Sequence, residues 1–131
     1  MPSFLSPLLR EPSRAFCLVN ARTGEVVADH LIGAFDSKTR RTGLLAHSSM
    51  PAGTAMIIAP TNAIHTFFMK FAIDVLFVAK DGLVVKVRHA VRPWRMSAAW
   101  RAHAVIELAA GTLHRTIVQE GDCVTVVANP T

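Results

Sequence analysis

A carboxylate inside an apolar run is the first feature of this sequence that could do chemistry. Asp74 stands between Ile73 and Val75, within a run of otherwise apolar residues at 71–78. A buried carboxylate must be paired or hydrogen-bonded, or else it takes up a proton. Two interpretations stay open. Asp74 either accepts hydrogen bonds from the backbone of an adjoining loop, or it orients a ligand or acts as an acid or base in a pocket.

A second carboxylate, Glu107, interrupts the apolar residues 105–108 in the same way. If the strands that carry Asp74 and Glu107 faced each other, the two groups could form a hydrolase pair or a site for a hard metal ion. Neighbouring residues of a strand point to opposite faces of a sheet, however. An outward-facing Glu107 is therefore the expected arrangement.

The segment 88–101 is the best candidate for ligand recognition. Its chemistry-bearing residues are Arg88, Arg92, Trp94, Arg95, Trp100 and Arg101. Arginine binds phosphates and carboxylates through paired donors, and tryptophan stacks on sugars, bases or cations. The alternative is a solvated basic loop in which Trp94 is a hydrophobic plug.

His65 and Met69 are four residues apart, a spacing that on a helix would let them share a metal ion. On a strand the same spacing separates them by about 13 Å. The residues around them favour a strand, so Met69 is expected in the core. His65 is expected either as a hydrogen-bonded core residue or as part of a pocket.

The six histidines form no compact ligand motif, and the two cysteines are far apart in the sequence. No nucleophile elbow, phosphate-binding loop or dinucleotide fingerprint is present. We therefore expect no metal and no cofactor, and an enzymatic activity is not the favoured interpretation.

These candidate residues must be positioned by a fold that is predicted to be mainly β, at the margin of α+β. An Asp-Gly turn at 81–82 joins two strands in the strongest hairpin signal, and a capping signal at 36–37 predicts one packed helix near 37–47. The predicted strands are 16–20, 25–29, 55–59, 64–71, 75–79, 83–88, 104–109 and 123–128. Seven or eight short strands with one helix indicate a barrel-like or jelly-roll-like sheet. Residues 1–14 are predicted to be an N-terminal arm, and 15–131 a single β-rich domain.

Composition narrows the class of protein further. The chain has 131 residues, of which 51% are hydrophobic, so one folded domain is expected. Apolar runs stay shorter than the roughly 20 residues that cross a bilayer, and the N-terminus lacks the basic start of a secretory signal. A cytoplasmic protein without a membrane partner is the resulting expectation. The net charge of +5 is concentrated between Asp81 and Glu107, where five basic residues and no acidic residue occur.

Several blocks of this sequence, in their order and spacing, resemble the domain-of-unknown-function 192 family. The blocks are 41–44 (RTGL), 65–70 (HTFFMK), 73–78 (IDVLFV), 81–82 (DG), Pro93, 105–108 (VIEL), Gly111 and 121–122 (GD). The resemblance extends over about 15–128 and implies a small, mainly β domain with one helix, without an agreed activity. Many members of the family look exported, and their pattern often has Asn-Thr where this chain has Phe71-Ala72.

These observations favour a non-enzymatic binding module for a small polar or anionic molecule, of the sugar or carboxylate class. The candidate ligand-binding residues are His65, Asp74, Arg92, Trp94 and Arg95, with Glu107, Arg88 and Trp100 as secondary candidates. Two alternatives remain: a hydrolase that uses Asp74 and Glu107, with or without a metal, and a nucleic-acid accessory protein that binds through the basic segment 86–101.

Overall fold

Residues 3–42 and 48–129 are described by a computed structural model of the chain. Within them lie three short helices: α1 (Ser6–Arg10), α2 (Ser37–Thr42) and α3 (Thr112–Arg115). The strands are β1 (Phe16–Asn20), β2 (Val26–Ala28), β3 (His30–Ala34), β4 (Thr54–Ile58), β5 (Ala63–His65), β6 (Ile73–Val78), β7 (Val84–Val91), β8 (Met96–Ala98), β9 (Ala104–Ala109) and β10 (Val124–Ala128). None of the helices in the described residues is long and apolar enough to cross a bilayer.

The largest of the three sheets has five strands in the order β3-β4-β9-β6-β7. Its β3–β4 pair is parallel, and its other pairs are antiparallel. A second sheet has the order β10-β1-β2, and β5 pairs with β8 in a small third sheet. The small sheet places residues 63–65 beside residues 96–98, so it brings the His65 segment to the basic segment.

The five-stranded sheet is covered on both faces by hydrophobic clusters. Alternate residues of β6 and β9 point into different clusters, because neighbouring residues of a strand face opposite sides. Leu76 and Ile106 belong to one cluster, whereas Val75 and Val105 belong to the other. Strands with both faces buried are apolar along their whole length, which accounts for the continuous apolar runs in the sequence.

The mainly β prediction is confirmed, with ten strands among the described residues in place of seven or eight, and three short helices in place of one. The strands form three sheets, and closure into a barrel or jelly roll stays a prediction. The predicted helix at 37–47 is present as Ser37–Thr42, and 43–47 lie outside the described residues.

The predicted hairpin around Asp81-Gly82 is also confirmed, as the β6–β7 pair. Gly82 has a φ of +98°, and a Cβ at this position would lie 2.5 Å from the carbonyl oxygen of Val124. Only glycine fits there, since both the backbone conformation and the close approach exclude a side chain.

The predicted strand at 64–71 is wrong in its extent, because β5 ends at His65. Beyond β5, Thr66 hydrogen-bonds with a turn at 92–95, and Phe68 has a φ of +67°. The β-forming tendency of this phenylalanine-rich segment is therefore overridden by tertiary hydrogen bonds. The strands β3 and β8 were not predicted; β8 lies inside the segment expected to be a loop.

The N-terminal segment packs on the core. Leu5 and Leu8 are buried in the cluster that also contains Leu76. The backbone N–H of Phe4 donates to the carbonyl oxygen of Lys80, at 2.9 Å, beside the β6–β7 turn.

Candidate binding surface

Thr66 holds the basic turn 92–95 in place. Its hydroxyl donates to the carbonyl oxygen of Arg92 at 2.7 Å and accepts from the backbone N–H of Arg95 at 2.9 Å. The backbone of Thr66 also donates to the Arg95 carbonyl oxygen and accepts from the Trp94 N–H, at 2.8 and 3.1 Å. Thr66 is only 1% exposed, so these hydrogen bonds form where water does not compete. The turn is therefore fixed to the end of β5.

This attachment assembles an exposed group of rings, which we call the aromatic platform: Phe67, Phe68 and Trp94. The Trp94 ring stacks on Phe67 at 5.7 Å and meets Phe68 edge-on at 4.7 Å, measured between ring centroids. His65 extends the row, with its ring 4.9 Å from that of Phe67. Trp94 remains 57% exposed and Phe68 68% exposed. The platform thus presents aromatic surface to solvent while its rings support one another.

Two platform residues have a strained backbone. Phe68 and Trp94 both have a φ of +67°, in the left-handed region. Bulky residues rarely adopt it, because Cβ clashes with the backbone, at a cost of about 1–2 kcal/mol for each residue. The structure therefore sacrifices stability at two positions that expose large aromatic rings. Strain of this kind is concentrated at functional sites.

Cationic residues lie near the platform, in its turn and beside β8. Arg92 and Arg95 flank Trp94 in the sequence, and both are exposed. On β7, the Arg88 guanidinium donates to the hydroxyl of Ser97 at 3.0 Å, and the Lys86 ammonium donates to the carbonyl oxygen of Ala98 at 2.9 Å. Lys86 and Arg88 are two residues apart on β7, so both side chains point to the side on which β8 lies. Basic residues thus lie both in the platform turn and alongside β8.

Asp74 lies in the core, away from solvent. Its side chain is fully buried, and its two oxygens accept from the backbone N–H groups of Ala90 and Leu113, each at 2.9 Å. Leu113 is in the first turn of α3, whose free N–H groups need an acceptor, so the carboxylate caps that helix from another strand. The neighbouring His89 and His114 stack on the surface with ring centroids 3.9 Å apart. Asp74 thus locks the end of β7 to α3.

Glu107 is buried, and the expectation that it faces outward was wrong. It is only 4% exposed, because the sheet is covered on both faces. Burial raises the pKa of its carboxyl group to about 7. In the β6–β9 register Glu107 lies opposite Val75, whereas Asp74 lies opposite Leu108. The two carboxylates therefore occupy opposite faces of the sheet and cannot act on one substrate.

The structure brings some of the predicted site residues together and separates others. Four of them share the exposed surface: His65, Arg92, Trp94 and Arg95. His65 is exposed, which contradicts the core interpretation, and Met69 is buried as expected. Asp74 does not reach this surface, since both of its oxygens face backbone donors in the core.

The two remaining secondary candidates lie close to β8. Arg88 lies beside β8 through its hydrogen bond to Ser97, and Trp100, which follows β8, is 84% exposed.

Sequence reasoning missed the part that Thr66, Phe67 and Phe68 play in this surface. One signal could have found it. Phe67 and Phe68 are adjacent, so on a strand one of them would have faced outward, next to the exposed Lys70.

Comparison with known proteins identifies the fold. A family model described as DUF192, an uncharacterised ACR, matches residues 19–126. A protein from Sinorhizobium meliloti 1021, described as a "putative transcription regulator", has a similar structure with a TM-score of 0.74 and 23% identity, over 86% of this chain and 92% of that one. A protein of unknown function from Novosphingobium aromaticivorans DSM 12444 has a TM-score of 0.70 and 19% identity, over 84% and 82% of the two chains. No curated protein matches the sequence.

Proposed function

The chain belongs to the DUF192 family, which is uncharacterised, and we propose from its surface that it is a binding module for a small anionic ligand that carries a flat ring. The observation that carries this proposal is the arrangement of Trp94. Its ring is held against Phe67 and Phe68, remains 57% exposed, and lies in a turn between two exposed arginines. In this proposal Trp94 stacks on the ring of the ligand, and Arg92 and Arg95 bind its charged group.

Exposed aromatic surface on a strained and rigid support favours binding over a purely structural role. A hydrophobic plug would bury its ring, whereas Trp94 and Phe68 leave more than half of their surface in water. Because Thr66 fixes the turn, little conformational entropy remains to be lost when a ligand stacks on the platform. Guanidinium groups provide paired donors for a carboxylate or phosphate.

The side chains that are missing from this part of the sequence favour a flat ring over a sugar. Residues 64–73 and 82–106 contain no asparagine, glutamine, aspartate or glutamate. A sugar offers several hydroxyl groups that need hydrogen-bonding partners, and buried polar groups left unpaired weaken binding. A flat aromatic ring needs only a stacking surface, which the platform provides. The carboxylate class, or another anion with a ring, thus fits better than the sugar class.

A hydrolase based on Asp74 and Glu107 is not supported. A paired-carboxylate mechanism needs the two groups within about 5–9.5 Å of each other, on either side of one bond. The sheet register puts these two carboxylates on opposite faces.

Calorimetric titration with three probes tests the proposal. Thymidine 5′-monophosphate carries both a ring and a charge, thymidine lacks the charge, and ribose 5-phosphate lacks the aromatic ring. We expect only the first to bind well. Trp94→Ala should weaken that binding about tenfold or more, since stacking contributes about 1–3 kcal/mol per ring.

Trp100→Ala is the matched control, because it removes the other tryptophan, which lies outside the platform and is 84% exposed. It should leave monophosphate binding unchanged, and both variants should melt near the wild-type temperature. Equal binding of the monophosphate to wild type and Trp94→Ala would contradict the proposal, as would unfolding caused by the loss of the Trp94 ring.

A further inference from the structure

The platform is followed along the chain by exposed residues of β8 and then by a second exposed tryptophan. Met96, at the start of β8, is 72% exposed, and Trp100, two residues after its end, is 84% exposed. Trp94 and Trp100 are six residues apart, which limits their separation to about 20 Å even in a fully extended chain. Two stacking positions therefore lie within the reach of one short oligomer.

Basic residues lie beside β8 and at both of its ends. Lys86 reaches the carbonyl oxygen of Ala98 from β7, whereas Arg88 contacts Ser97, which is buried and faces the inner side of β8. Arg95 precedes β8, and Arg101 follows Trp100; both are exposed. Acidic side chains are missing from the sequence between residues 82 and 106, so no carboxylate of this segment opposes a chain of negative charges.

We infer that this surface binds single-stranded nucleic acid, with one base stacked at Trp94, another at Trp100, and the intervening phosphates along β8. The inference rests on the proposed function: the small anionic ligand with a flat ring would be one nucleotide of a longer strand. Aromatic rings and basic side chains in one open track are the features with which proteins hold single strands without reading a sequence. A duplex keeps its bases stacked on one another and presents only their edges, so it could not use the two tryptophans.

An acidic polysaccharide is the competing polymer, and it fits less well. Its charges suit the arginines, but 82–106 itself offers its hydroxyl groups no amide or carboxylate side chain. Asn62, whose carbonyl oxygen accepts from the Ala99 N–H, is an amide near the Trp100 end. Bases need only the faces of the tryptophan rings, and lysine and arginine are sufficient donors for phosphates.

Fluorescence anisotropy with labelled oligothymidylate tests this inference. We expect a 12-mer to bind at least tenfold more tightly than a labelled thymidine monophosphate, and more tightly than a 12-base-pair duplex or polygalacturonate. Trp100→Ala should weaken 12-mer binding about fivefold or more while leaving the monophosphate unaffected. Trp94→Ala should weaken both.

Salt dependence measures the phosphate contacts separately. Replacing Arg92 and Arg95 together by glutamine should reduce the slope of log affinity against log salt by about 1.4, at about 0.7 for each contact on a single strand. Arg14→Gln, which removes an exposed arginine paired with Glu11 in the N-terminal segment, is the control and should leave the slope unchanged.

The outcomes separate the two proposals. If the 12-mer and the monophosphate bind equally and Trp100→Ala has no effect, the polymer inference is wrong while the proposed function stands. Tighter binding of the duplex or of polygalacturonate would also overturn the inference. If Trp94→Ala changes neither affinity, both the proposed function and the inference are contradicted.

Discussion

Asp74 and Trp94 are both exceptions to the chemistry of their surroundings, and the structure treats them in opposite ways. Asp74 is a charged group in an apolar strand, and it is fully buried with both oxygens hydrogen-bonded to backbone N–H groups. Trp94 is a large apolar group in a basic turn, and it is 57% exposed in a strained conformation. Asp74 has hydrogen-bond partners for both oxygens inside the protein, whereas more than half of the Trp94 surface remains in water. An unusual residue indicates a binding site only when the fold leaves its interactions incomplete.

The largest effect on stability is expected for Asp74→Ala. The variant leaves the buried N–H group of Leu113 and the part-buried N–H group of Ala90 without their acceptors, and each lost partner costs about 1–3 kcal/mol. We expect the free energy of unfolding to fall by about 4 kcal/mol, measured by urea denaturation. An unchanged stability together with a loss of ligand binding would instead place Asp74 in the binding site.

Glu107 is also a buried carboxylate, and its pKa responds to that burial. Burial raises its pKa to about 7, from 4.5 for an ordinary glutamate. The folded protein therefore binds this proton more tightly than the unfolded chain, and stability falls as the pH rises from about 4.5 through about 7. The total loss is about 3 kcal/mol.

Glu107→Gln should remove this pH dependence and make the protein more stable than the wild type at pH 8. Unfolding by urea at pH 5, 6, 7 and 8 measures both effects. Glu120→Gln, at an exposed position, should leave the wild-type dependence in place. A wild-type protein whose stability rises from pH 5 to pH 8 would refute this account of Glu107.

Thr66 is itself buried and holds the turn that carries the exposed Trp94. A change at Thr66 should therefore affect both stability and binding. Thr66→Val keeps the shape of the side chain and removes the hydroxyl that holds Arg92 and Arg95. We expect a loss of about 2 kcal/mol in stability and a clear loss of thymidine monophosphate affinity. Thr125→Val, at an exposed strand position, should change neither. Wild-type affinity in Thr66→Val would show that the turn holds its conformation without this attachment.

The smallest effect concerns the strain at Trp94 itself. Glycine adopts a φ of +67° freely, whereas alanine does not. Trp94→Gly should therefore be more stable than Trp94→Ala by about 1 kcal/mol, although both lose the stacking ring. Equal thermal stability of the two variants would mean that the turn relaxes when the ring is removed.

Local patterns in the sequence predicted the parts of the fold that depend on local chemistry. The Asp81-Gly82 turn and the apolar strands on either side of it follow from backbone preferences and burial. The interpretation of the arginine and tryptophan segment as a recognition surface stays a prediction. Backbone hydrogen bonding, one of the two interpretations of Asp74, is what the structure shows. Residue type and spacing were sufficient for these predictions.

Predictions that depended on distant partners were less successful. Glu107 was expected to face outward because alternation along a strand assumes one buried face, but this sheet is buried on both. The end of β5 at His65 depends on hydrogen bonds between Thr66 and a turn 26–29 residues later, which no local pattern encodes. The aromatic platform exists only because of that long-range attachment.

The most direct test of the central claim is the affinity of thymidine 5′-monophosphate for Trp94→Ala relative to Trp100→Ala, measured by calorimetry at one salt concentration. If the aromatic platform is the binding surface, the Trp94 variant loses about tenfold or more in affinity and the Trp100 variant binds like the wild type. Equal affinities for the two variants would contradict the assignment of this surface.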